Sequence, residues 1–198
     1  MITTTLNRIR EHRSCQPGWE KLLTGLGKTK ADDEPLSFAT ILEINNLDDA
    51  LWCCRAEPQY AKEWRLFAVA VARRVEHLNT DPRVKNVIDV AERYAHGDAT
   101  DAELNAARTA AKTAEKVAGA ATWSAWTAAR VAAKTAWAAT LATAWAAAWT
   151  AAWTAAWAAT LATAPVSGNA ARNAARAAEK AEREWQTQEF LRVVIETE

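Results

Sequence analysis

Residues 135–164 read TAWAATLATAWAAAWTAAWTAAWAATLATA, thirty positions without one charge, glycine or proline. Alanine and threonine alternate with indoles, and the octet Trp-Ala-Ala-Thr-Leu-Ala-Thr-Ala occurs at 137–144 and again at 157–164. Alanine is the best helix former, and nothing between 120 and 164 obliges the backbone to bend, so the stretch predicts helix. Trp137, Leu141, Trp145, Trp149, Trp153, Trp157 and Leu161 stand four residues apart throughout, whereas an α-helix turns every 3.6 residues. Each step of four therefore advances about 40° around the axis, and six such steps sweep roughly 240°. The bulky groups do not line a single face.

A surface helix hides one stripe and keeps its opposite side wet with charged or polar residues. Here that opposite side is alanine and threonine. Each indole buries on the order of 150–250 Å², so five uncovered rings would exceed the apolar patch a monomer tolerates. At 1.5 Å per residue the helix 120–164 would run about 68 Å, against a radius of gyration near 16 Å for a compact chain of this length. The segment therefore breaks, near Thr140 to Thr143, or finds a partner. Its small side chains suit close helix pairing, at the lower end of about 8–10 Å between axes.

Outward from this segment the charge returns. The chain has 198 residues, with 24 basic and 24 acidic side chains, 48 alanines and 11 tryptophans, against 6 glycines and 5 prolines. Residues 1–100 carry 14 basic and 15 acidic groups, 101–134 carry 5 and 3, 135–171 carry none, and 172–198 carry 5 and 6. This composition predicts an all-α chain in three parts: a compact helical domain over 1–100, a long Ala/Trp/Thr-rich helical repeat over 101–164, and a turn with a charged C-terminal helix over 165–198. Asn169 to Phe190 reads as an amphipathic helix that folds back, antiparallel, on the ladder.

Within the first hundred residues, Pro17 and Gly18 open a helix that stops near Gly25 and Gly27. Phe38, Ile41, Leu42 and Ile44 form an apolar face, and Asn46 with Asp48 and Asp49 caps the helix carrying Leu51 and Trp52. Trp64, Phe67, Val71, Val75 and Leu78 form one core-facing stripe. Asp81-Pro82 starts a helix that turns Val84, Val87, Ile88 and Ala91 inward and ends at Gly97. Thr100 and Glu103 form a capping box for the next.

Candidate chemistry is sparse. Gly25-Leu26-Gly27-Lys28-Thr29 looks like the tail of a phosphate-binding loop, but position 22 is leucine where the pattern needs glycine, and a glycine-rich helix end accounts for it better. A zinc site using His12 and Cys15 with Cys53 or Cys54 would have to be assembled by the fold, and all three thiols read as buried small hydrophobes. Asp32 with Asp33, and Asp48 with Asp49, fall where caps and turns explain them. No catalytic residue, cofactor or metal is expected.

The balanced charge supplies no basic track for nucleic acid; Arg130 and Lys134 are too few. Indoles would disrupt the flat face of an ice-binding helix. The segment is long enough to span a membrane, yet alanine and threonine contribute little to insertion and the indoles do not gather in two belts, so a membrane-associated helical protein is kept as the second alternative. Residues 1–13 lack the continuous apolar core of a secretory signal, which points to the cytoplasm. The expected interface is Trp123, Trp126, Trp137, Leu141, Trp145, Trp149, Trp153, Trp157 and Leu161. A homo-oligomer, or docking onto another protein, covers what one helix leaves bare; a closed monomeric bundle with the N-terminal domain as the cover is the alternative.

Arg83, Ile88, Ala91, Tyr94-Ala95, Gly97, Ala99-Thr100, Glu103-Leu104, Ala107-Arg108 and Ala110-Ala111 form a pattern that resembles a family of alanine-rich helical bacterial immunity proteins. With Leu6-Asn7-Arg8-Ile9-Arg10 and Asp48-Asp49-Ala50-Leu51-Trp52, the chain is also similar to phage and prophage proteins whose C-terminal halves repeat Ala-Ala-Trp units. Those relatives place Asp or Arg within the repeat; here Thr and Ala stand instead, which favours burial. The resemblance implies a non-enzymatic binding protein that neutralises a bacterial toxin or, if phage-borne, blocks a host defence complex such as a CRISPR effector. A structural homo-oligomer or filament built through the ladder is the alternative.

Overall fold

A computed structural model describes residues 1–77, 80–118 and 169–197, and they form a predominantly all-α fold. The elements in order are β1 (Thr3–Thr4), α1 (Leu6–Glu11), α2 (Gln16–Gly25), β2 (Leu36–Ser37), α3 (Phe38–Ile44), α4 (Leu47–Cys53), two 3-10 turns (Cys54–Ala56 and Pro58–Tyr60), α5 (Ala61–Glu76), α6 (Pro82–His96), α7 (Asp101–Ala118) and α8 (Asn169–Glu196). The tryptophan ladder, Leu78 and the turn at Pro165 lie outside the described residues.

Local chemistry sets the helix ends. The side chains of Thr5, Ser37, Asn46 and Asp81 accept backbone N–H groups at the starts of α1, α3, α4 and α6. Gly97 ends α6 at φ 86°, where the Asp98 N–H reaches the Arg93 carbonyl at 2.8 Å and the Gly97 N–H reaches Tyr94 at 3.1 Å, a Schellman ending that glycine adopts at little cost. At Thr100 the expected capping box is present: the Glu103 N–H donates to Thr100 Oγ1 at 3.2 Å, and the Thr100 N–H donates back to Glu103 Oε2 at 2.8 Å.

One core runs through all of the helices. Trp64, Phe67, Val71 and Val75 of α5 are buried as the periodicity predicts, and so are Val84, Val87, Ile88 and Ala91 of α6. α7 packs on α6 through Leu104, Ala107, Ala111 and Ala114, a stripe at steps of three and four. The far end of α8 joins the same core: Phe190, Val193 and Val194 are buried against α3 and α5. The charged C-terminal helix thus seats its last turns in the core built by residues 1–100, a contact that the antiparallel fold-back alone does not include.

A two-stranded antiparallel ladder, absent from the sequence reading, pairs Thr3 with Ser37 and Thr4 with Leu36. Beside it the Ile2 N–H donates to the Val194 carbonyl at 2.7 Å, and the Met1 ammonium donates to the Thr197 carbonyl, so residues 1 and 2 satisfy backbone acceptors at the end of α8. Glu57, fully buried between the two 3-10 turns, accepts Arg8 from α1 at 2.8 Å and Gln59 at 2.6 Å, and its backbone carbonyl accepts the Trp64 indole N–H at 3.1 Å.

Candidate functional site

The structure places the two helices between which the ladder is inserted. α7 leaves the core with Leu104, Ala107, Ala111 and Ala114 inward and Ala102 and Ala106 exposed. An open groove of about 370 Å³ runs beside it, with Val90 and Ala107 in its floor and the Arg93–Glu103 ion pair, 3.4 Å apart, along its wall. α8 divides in two. Its half nearer residue 169 exposes Ala174, Ala177 and Ala181; its farther half buries Glu182, Gln186, Phe190, Val193 and Val194.

A polar network holds that farther half. Glu182 is buried, and its carboxylate faces the Arg74 guanidinium at 3.4 Å and accepts the Gln186 amide at 3.1 Å. Arg183 donates to Gln186 Oε1 at 3.2 Å and pairs with Asp48 of α4 at 2.5 Å. The Arg74 guanidinium also lies 4.7 Å from the Trp185 ring centroid, within cation–π range. A buried carboxylate is costly unless paired and hydrogen-bonded, and here both conditions are met. Residues 169–181 offer only alanine as an apolar knob, so this network and Phe190 together fix the register of α8.

Cys53, with Cys15, Trp19, Leu22, Trp52, Ile9 and Asn45, lines a cavity of about 70 Å³ between α2 and α4. Asn45 Nδ2 ties its two sides, donating to the Gly18 carbonyl at 2.9 Å and to Asp49 Oδ2 at 2.8 Å, while the Arg55 guanidinium stacks 3.9 Å from the Trp52 ring. Burial pushes the Cys53 thiol up to about 12, and Cys54 rises well above its ordinary value for the same reason. Cys15 departs from the expectation of three buried thiols: as the N-cap residue of α2 it precedes the packed face of that helix and is exposed.

No protein-family model, curated protein or solved structure matches the chain.

The sequence candidates for chemistry fall on separate elements. Lys28 is held between Asp32 and Glu34 at 2.7 Å each; hydrogen bonding to Asp32 first, then to Glu34, raises its ammonium, and Lys28 correspondingly lowers the Asp32 carboxyl. Gly27, at φ 65°, and Lys28 close α2 by the same Schellman geometry as α6, their N–H groups reaching Thr24 at 3.0 Å and Leu23 at 2.9 Å. This is the helix end the sequence indicated. Asp49 receives the cap of Asn46 as expected, whereas Asp48 adds the long-range pairing to Arg183. His12, His77 and His96 are exposed at the ends of α1, α5 and α6, and among the described residues no group of three or more His, Cys, Asp or Glu is placed to hold a metal.

All nine expected interface residues, Trp123, Trp126, Trp137, Leu141, Trp145, Trp149, Trp153, Trp157 and Leu161, lie outside the described residues. Among those described, no helix is long and apolar enough to cross a membrane. Sequence reasoning missed the anchoring of α8. The signal was present in the spacing of Phe190, Val193 and Val194, three apolar residues on one helical face after a run of charges.

Proposed function

We propose that the chain is a non-enzymatic, cytoplasmic protein-binding protein that presents its tryptophan segment to a protein partner. One observation carries the reading: thirty-four residues, 135–168, carry no charge but five tryptophans, and they stand in the sequence between α7 and α8, each rooted in the same folded core. Buried Leu104 and Phe190 hold the two roots. Apolar area that one chain does not cover is what drives association. The resemblance to alanine-rich immunity proteins and to phage proteins with Ala-Ala-Trp units favours, as the partner, a bacterial toxin or a host defence complex.

The repeated octet favours a second reading, a homo-oligomer or filament, because identical segments pair with one another in a symmetric interface. Light scattering on the purified chain, alone and mixed with proteins captured from a bacterial host and identified by mass spectrometry, separates the two. A monomer that forms a stoichiometric complex with one captured protein supports the first; a fixed oligomer supports the second. Replacing Trp145, Trp149, Trp153 and Trp157 together by alanine is expected to leave helical circular dichroism intact and to abolish the association. Unchanged assembly and capture by that variant would overturn both readings.

A further inference from the structure

We draw no further inference here: the strongest candidate, the apolar cavity between α2 and α4 lined by Trp19, Trp52, Cys15 and Cys53, carries nothing because no feature of the structure shows what covers it.

Discussion

Phe190 of α8 stacks on Trp64 of α5, their ring centroids 6.1 Å apart and their planes 20° from parallel. The same phenyl ring meets Phe67 edge-on at 5.6 Å and Phe38 at 6.2 Å. Four aromatic rings from three helices thus converge where α8 closes the core. Such pairs contribute about 0.5–1.5 kcal/mol each beyond the area they bury. The cluster makes α8 part of the domain's stability.

Phe190→Ala is therefore expected to cost about 3–5 kcal/mol, the usual range for deleting a buried phenyl group. Urea unfolding followed by far-ultraviolet circular dichroism checks it. A loss below 1 kcal/mol would show that the last turns of α8 do not stabilise the domain.

The thiols give a second test. Cys15 is exposed, whereas Cys53 and Cys54 are buried. Ellman's reagent is expected to titrate one thiol in the native protein, none in Cys15→Ser, and three in denaturant. The Cys53 thiol, raised by burial to about 12, ionises in the unfolded chain near its ordinary value of about 8.5. Its contribution to stability is present in full below that value and is lost as pH rises toward 12. Unfolding midpoints are expected to fall over this alkaline range, and less steeply in Cys53→Ala.

Gly25 of α2 lies against Ile44 of α3. A Cβ there would sit 2.5 Å from Ile44 Cγ2, well inside contact distance. Gly25→Ala is expected to destabilise by about 1–3 kcal/mol through overpacking, although alanine is the better helix former. Pairing it with Ile44→Ala is expected to recover part of the loss relative to Ile44→Ala alone, a non-additivity that a double-mutant cycle reads directly.

Acid stability follows from three carboxylates. The Thr100 backbone N–H, then the Thr100 hydroxyl, lowers Glu103; Arg83 lowers Asp81; Lys28 lowers Asp32. A carboxyl whose folded value is depressed stabilises above its unfolded value of about 4 and loses that contribution as pH falls through the folded one. Unfolding midpoints are expected to hold between pH 7 and 5 and to drop below pH 4. Glu103→Gln, which keeps an acceptor for the cap, is expected to flatten the drop; an unchanged profile would remove Glu103 from the account.

Local chemistry made much of the fold legible. Asp81-Pro82, Gly97 and Thr100 with Glu103 bracket α6 and α7 in the sequence as they do in the structure, because caps act within a turn of chain. The stripes of α5 and α6 were readable for a similar reason: burial imposes a 3.6-residue period. Thr3–Thr4 and Leu36–Ser37 were not, since a two-residue strand is too short to show alternation. Nor was the Asp48–Arg183 pair, which joins groups 135 positions apart and leaves no mark on the sequence near either. Cys15 was misjudged because its hydropathy resembles that of Cys53, while its position at a helix start exposes it. For the expected interface the sequence supplied residue types and spacing, and those residues lie outside the described ones; the structure supplies the helices on either side of them in the chain.

Because Leu104 and Phe190 belong to one core, covalent continuity between α7 and α8 is not what keeps the domain whole. A protease that nicked the backbone anywhere from 119 to 168 would yield two polypeptides that remain clasped, the smaller retained by its phenyl ring and its ion pairs to Arg74 and Asp48.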